Sequence, residues 1–401
     1  MNPVGWSQVT NRLPTAVLVL ADGRVFPGSG TGMTGQAIGE VCFNTAMTGY
    51  QEIMTDPSYT DQLVCFTFPH VGNVGTNPDD VENTSPVAGA RAKGIILRAE
   101  ITDSANWRST QSLTDWLIEH SIIGITGIDT RALTAHIREN GMPHGIIAHD
   151  PNGKFDLDHL RQRAANWPGL VGADLAGQIT TKKPHQWNET AWEWPDGFGK
   201  TESTSAHVVL IDYGVKRNIA RLLASQGLQV SIVPASFSAE QILALKPDGI
   251  VLANGPGDPA ATAKYASQVI RTLIDAKLPL FGICLGHQLL ALALGGKTIK
   301  MDQGHHGANH PVKEIASGKV EIVSMNHGFA VQADSLPQEV TQTHVSLFDG
   351  SNCGLQMKDR EVFSVQHHPE ASPGPQDSFY VFERFAEMVL TNQKARATAS
   401  A

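Results

Sequence analysis

The chain has 401 residues, 41% of them hydrophobic and 17% charged, which is enough for two domains with cores of their own. Its formal net charge of −9 argues against a nucleic-acid or anionic-membrane surface, and no apolar run approaches the roughly 18 residues of a membrane span. Four scattered cysteines (Cys42, Cys65, Cys284, Cys353) form neither CxxC pairs nor a disulfide framework. The first residues lack the apolar core of a secretion signal and the arginines of a transit peptide, so a reducing cytoplasm is expected.

In chain order, short β-like runs come first, at 16–20, 63–67, 94–97 and 145–147, interrupted by helical patterns at 113–119 and 130–137. They predict a separate, β-rich α/β N-terminal domain over 1–177. Gly28-Ser29-Gly30-Thr31-Gly32 lacks the lysine and following helix of a phosphate loop and is read as a turn. Residues 178–206 are polar and irregular, with Pro184, Pro195 and three tryptophans, and are read as a linker. From 207 the pattern alternates: strands at 208–211, 230–233, 249–252 and 278–283, helices at 216–225, 239–245 and 261–276. That alternation predicts α/β architecture with a doubly wound, mostly parallel sheet over 207–392, followed by a tail at 393–401. In such sheets ligands bind beyond the carboxyl ends of the strands.

Three motifs fall at predicted strand ends. Gly282-Ile283-Cys284-Leu285-Gly286 lies between a strand and a helix, the cysteine form of a nucleophile elbow. The flanking glycines are expected because the turn leaves no room for a Cβ and requires positive φ. The helix start would set unpaired N–H groups beside the sulfur and favour a thiolate. Asn254-Gly255-Pro256-Gly257-Asp258-Pro259 is a stiff loop whose N–H groups could hold an oxyanion. In His367-His368-Pro369-Glu370, His368 would act as a base with Glu370 orienting it. His305, His306 and His310 have some metal-ligand character, but Gly304, Gly307 and Pro311 break any helix that would align them, so no metal site is expected.

Together these three motifs resemble the class I (triad) glutamine amidotransferases. Phe43 to Tyr59, Pro69 to Gly75, Gly127 to Thr134, His305 to Pro311 and Asn326 to Ala330 further resemble the small subunits of carbamoyl phosphate synthetases, over nearly the whole chain. The resemblance implies a glutaminase that passes ammonia to a large ATP-binding subunit, which makes carbamoyl phosphate from bicarbonate for arginine and pyrimidine synthesis. It implies Cys284 as nucleophile, His368 as acid–base and Glu370 as its orienter. Oxyanion donors would be the N–H groups of Leu285 and of Gly255 or Gly257. The α-groups of glutamine would be held by Gln288, Asn326, Gly328, Phe329 and Ser58, the last reaching across from the N-terminal domain. No cofactor is expected in this chain, with ATP, magnesium and bicarbonate on the partner. His367 departs from the glycine or aromatic residue usual before the catalytic histidine. A free-standing cysteine hydrolase and a silent regulatory subunit are the competing readings. The motif-bearing N-terminal half weighs against the first, and the intact cysteine, histidine and glutamate against the second.

Overall fold

The computed structural model describes residues 13–84, 89–202 and 204–399. The chain forms two compact units. One comprises Met1–Phe43, Asp61–Pro78 and Lys93–Gly169, and the other Asn44–Thr60, Asp79–Ala92 and Leu170–Ala401.

The first unit is built on a closed seven-stranded barrel. In chain order its strands are β1 (Ala16–Leu20), β2 (Val25–Gly32), β3 (Gly35–Asn44), β4 (Gln62–Phe66), β5 (Gly94–Ile96), β6 (Ile123–Thr126) and β7 (His144–His149), paired around the ring as β1-β2-β6-β5-β4-β3-β7. Leu18, Leu20, Leu63, Ile96, Ile125 and Ile147 fill it, each fully buried. The glycine-rich run at 28–32 is the end of β2 rather than a turn. A Cβ on Gly30 would come within 2.0 Å of the His149 ring, so the glycine there lets β2 and a neighbouring side chain approach closely.

The second unit is organised by one ten-stranded sheet. The segment read as a linker contributes β8 (His185–Trp187) to that sheet and a hairpin of β9 (Glu189–Glu193) and β10 (Gly197–Lys200). Then follow β11 (Ala206–Asp212), β12 (Leu228–Pro234), β13 (Gly249–Leu252), β14 (Leu280–Ile283), β15 (Thr298–Glu314), β16 (Val320–Val331), β17 (Val340–Ser346), β18 (Asn352–Met357) and β19 (Val362–Val365). The spatial order is β16-β15-β17-β18-β19-β14-β13-β11-β12-β8. Strands β12, β11, β13, β14 and β19 pair in parallel, and every other pairing is antiparallel. The expected parallel sheet is therefore the centre of a larger mixed one.

The central strands are almost wholly apolar, as strands covered on both faces must be. Helices Pro259–Asp275 and Leu285–Ala293 cover one face, and helices Arg217–Ser225 and Tyr380–Ala399 the other. That last helix extends to Ala399, into the stretch read as a tail. Strand order reverses between β12 and β13 on either side of β11, and the carboxyl ends of β11, β13, β14 and β19 lie around that point.

Candidate active site

Strand β14 ends at Ile283 and the helix begins at Leu285, so Cys284 alone makes the turn. It takes φ 52° and ψ −102°, a conformation that side-chain-bearing residues rarely adopt. The positive φ thus falls on the cysteine and on neither flanking glycine. The glycines are required by space instead. A Cβ on Gly286 would come within 2.2 Å of Leu252 O, and one on Gly282 within 2.8 Å of Gly286 O. Cys284 is 2% exposed, and its thiol donates to Asn326 O at 3.6 Å.

Leu285 is the first residue of the helix, so its N–H has no intrahelical acceptor. Gly255 lies against it: a Cβ there would sit 2.9 Å from Leu285 Cδ2. Gly257 is turned instead toward Ala173 and Leu175. Of the two glycines, Gly255 is the one beside the helix start.

Beyond β19, His368 N donates to Ser324 O at 2.9 Å, and His368 Nδ1–H donates to Glu370 Oε1 at 2.6 Å. The same oxygen accepts from Lys216 Nζ at 2.9 Å, and Lys216 Nζ also reaches Ala371 O at 2.6 Å. All three side chains are at most 3% exposed. Burial works against ionisation of Glu370, but Lys216 and His368 outweigh it and hold the carboxyl at about 2. Burial likewise disfavours an imidazolium at His368, yet Glu370 and Cys284 lift it to about 10. Lys216, despite its own burial, is kept above its usual range by Glu370, Glu82 and Asp56.

Cys284 is close enough to raise His368 electrostatically, yet among the described residues His368 Nε2 has no hydrogen-bond partner of good geometry. The thiol hydrogen is directed at Asn326 O, which leaves Nε2 open beside the sulfur. A cavity of about 20 Å³ next to His368, lined by Asp56, Lys216, Asn326 and Ser372 among others, has room for a water molecule.

The remaining expected residues join this arrangement. Gln288 Nε2 donates to Phe329 O at 2.7 Å and to Gln366 Oε1 at 3.0 Å, tying the helix to β16. Asn326 Nδ2 donates to Asp56 Oδ2 at 2.9 Å, and Asn326 Oδ1 accepts from His306 Nδ1 at 2.9 Å. Gly328 follows on β16 and is half-buried. Ser58 Oγ accepts from Asn254 Nδ2 at 2.9 Å, Asn254 Oδ1 accepts from Lys216 N at 3.1 Å, and Ser58 N donates to Asp56 Oδ1 at 2.8 Å. A circuit results, hydrogen-bonded or ion-paired at every step except the open one between His368 Nε2 and Cys284: Ser58, Asn254, Lys216, Glu370, His368, Cys284, Asn326, Asp56 and back to Ser58. Ser58 belongs to the segment Asn44–Thr60, which folds as part of the second unit.

His305 is paired with Asp349, and His306 with Asn326 of the site. Among the described residues, no group of three or more His, Cys, Asp or Glu side chains has the geometry to hold a metal ion. Sequence reasoning missed Lys216, Asp56 and Glu82. Asp56 lay within the Phe43 to Tyr59 run without being singled out, and Lys216 stood as a lone lysine at a predicted helix start whose partner no local spacing records.

A parallel sheet with a cysteine at a strand–helix elbow and a His–Glu pair at the next strand end is the arrangement of a class-I glutamine amidotransferase domain. The family described as "Glutamine amidotransferase class-I" matches residues 209–388. A second, "Carbamoyl-phosphate synthase small chain, CPSase domain", matches residues 18–147. The carbamoyl phosphate synthase small chain of Mesorhizobium japonicum is 62% identical over 376 residues, covering 94% of each chain. That of Bradyrhizobium diazoefficiens is 61% identical over 382 residues, covering 95% of this chain and 96% of its own. That of Agrobacterium fabrum is 60% identical over 392 residues, covering 97% and 98%. The chain belongs to the carbamoyl phosphate synthase small chain family.

Proposed function

We propose that this chain hydrolyses L-glutamine to glutamate and ammonia and delivers the ammonia to a large, ATP-using chain that makes carbamoyl phosphate. The observation that carries this reading is the buried Lys216–Glu370–His368 series ending beside Cys284 at the carboxyl ends of β14 and β19.

At the moment of attack the thiol proton lies on His368 Nε2, held there as an imidazolium, and the sulfur attacks the side-chain amide carbon of glutamine as a thiolate. The oxyanion that forms is held by the N–H groups of Leu285 and Gly255, aimed from a helix start and a stiff loop. Collapse breaks the C–N bond. The leaving nitrogen takes the proton from His368 and departs as ammonia, leaving a γ-glutamyl thioester on Cys284. Water then gives a proton to His368 Nε2 and adds to the thioester. The C–S bond breaks, glutamate leaves, and the thiol recovers its proton. Glu370 fixes the imidazole with Nε2 toward the sulfur and stabilises the imidazolium. Ser58, Gln288, Asn326, Gly328 and Phe329 hold the α-amino and α-carboxylate groups, and ATP, magnesium and bicarbonate bind the partner.

Cys284→Ser tests this in the two-chain complex. Glutamine-dependent carbamoyl phosphate synthesis is expected to vanish, while synthesis from added ammonia continues. Glutamine-dependent turnover by the variant would sink the assignment.

A further inference from the structure

Glu82 belongs to Asp79–Ala92, a short segment that leaves the first unit's sequence to fold with the second. It is 1% exposed and lies within reach of the site without taking part in the circuit above. Its carboxylate joins two parts of the chain far apart in sequence. Oε1 accepts from Ser372 Oγ at 2.6 Å, two residues past Glu370. Oε2 accepts from Asn218 N at 3.1 Å, two residues past Lys216.

The neighbouring backbone reinforces both ends. Glu82 O accepts from Arg217 N at 2.9 Å, Asn83 forms an isolated bridge with Lys216, and Thr84 Oγ1 donates to Val215 O at 3.2 Å. Glu82 N is itself anchored on Thr55 Oγ1 at 3.0 Å, and Arg221 lies 3.8 Å from the carboxylate, supplying a buried countercharge.

What Glu82 holds is the geometry of Glu370. Ala371 and Ser372 both have φ near 52°, a left-handed stretch that persists only if the surroundings enforce it. Asn218 Nδ2 donates to Glu370 O at 2.5 Å, and Lys216 Nζ reaches both Glu370 Oε1 and Ala371 O. Glu82 therefore grips the turn after Glu370 with one oxygen and, with the other, the start of the helix Arg217–Ser225, whose first residues supply the donors to Glu370.

We infer that Glu82 is a positioning residue for the glutaminase reaction, acting through Ser372 and the helix start at 216–218 to fix the Glu370 carboxylate against His368. This rests on the proposed glutaminase function.

The test uses the two-chain complex, with glutamine hydrolysis, ammonia-dependent synthesis and melting temperature measured for Glu82→Ala, Glu82→Gln and Ser372→Ala. A turn displaced by about 1 Å is expected to lower kcat for glutamine about 10- to 100-fold in Glu82→Ala. KM should move by less than about threefold, because no substrate contact is removed. Glu82→Gln, which keeps one acceptor, should fall between Glu82→Ala and the parent, and Ser372→Ala should share the direction of the loss. With Glu370 less well placed, His368 loses part of its charge stabilisation, so the alkaline limb of kcat/KM should move down by about half a pH unit. Ammonia-dependent synthesis should be unchanged. An unaltered pH profile and kcat in Glu82→Ala would overturn the inference, as would a loss matched by ammonia-dependent synthesis and not relieved in Glu82→Gln. If Glu82→Ala does not fold, Ser372→Ala decides on the same readouts. A parent complex with no glutamine turnover would overturn the proposed function instead.

Discussion

His367 and His368 are adjacent, both buried, and held in opposite states. His368 donates to Glu370 and is lifted to about 10. Among the described residues His367 has no hydrogen-bond partner on either ring nitrogen; it stands edge-on to His344 with ring centroids 5.8 Å apart and is pushed well below its usual range by burial. His368→Asn should accordingly lower glutamine turnover by about 10²–10⁴. His367→Asn should cost far less, and steady-state assays of the two variants decide it. The His-Pro-Glu spacing already pointed to His368, because a base and its orienter two residues apart can share one turn. Lys216 and Glu82 were not legible in the same way. Each meets its partner across more than a hundred residues, and no local spacing records such a contact.

Among the elements, the central strands were readable because a strand buried on both faces is a continuous apolar run. The antiparallel wing was not. Strand β15 carries Gly304, His305, His306, Gly307, His310 and Pro311, and its pairing with β16 shifts register twice, so neither alternation nor an apolar run marks it. The same strands bear on acid stability. Burial lowers His306 on β15 to about 3, and His287 on the helix after Cys284 to about 3. His310 on β15 and His344 on β17 are lowered to about 4. Unfolded, each would take up a proton near 6.5, whereas folded each stays neutral to the lower value. Between these limits the unfolded chain binds more protons at these four sites, so their contribution to stability falls as pH drops below 6.5. They outnumber the buried Glu52, which is raised to about 8 and works the other way. Glu370, held at about 2, keeps its contribution above 4.5 and loses it only as pH falls toward 2, so the histidines govern the weakly acidic range. Urea titrations at pH 7, 5.5 and 4.5 should show the midpoint falling steadily, and a flat midpoint would contradict this account.

At the scale of the molecule, the sequence suggested one division, a linker at 178–206 between domains at 1–177 and 207–392, whereas the chain contributes Asn44–Thr60 and Asp79–Ala92 to the second unit before reaching that linker. Local pattern identifies a strand or a helix but does not say which core an element joins, so the interleaving left no trace in the composition. Its practical result concerns truncation. A fragment of residues 206–401 would keep Cys284, His368 and Glu370 but lose Asp56, Ser58 and Glu82, leaving Asn326 Nδ2, Asn254 Nδ2 and the buried Arg221 without those acceptors. Unpaired buried groups of this kind cost about 1–3 kcal/mol each, more when charged. The fragment should be poorly folded and inactive toward glutamine, as circular dichroism and an ammonia-release assay would report. A well-folded, fully active fragment would refute the role given to those segments.

The left-handed turn at Cys284 has a consequence for how reactivity and stability trade against each other. At ordinary positions alanine is favoured over glycine by roughly 0.5–1 kcal/mol, because glycine loses more freedom on folding. At Cys284 the order should invert, since alanine keeps the Cβ that makes this backbone costly, by about 1–3 kcal/mol, and glycine removes it. Cys284→Gly is therefore expected to melt above Cys284→Ala, by roughly 2–4 °C for each kcal/mol of the difference in a unit of this size. Calorimetry on the two inactive variants would show it, and the reverse order would mean that the turn is relaxed. If the inversion holds, thermal selection alone would steer this position away from any side chain, and its thiol persists against that gradient only while the chain is held to its chemistry.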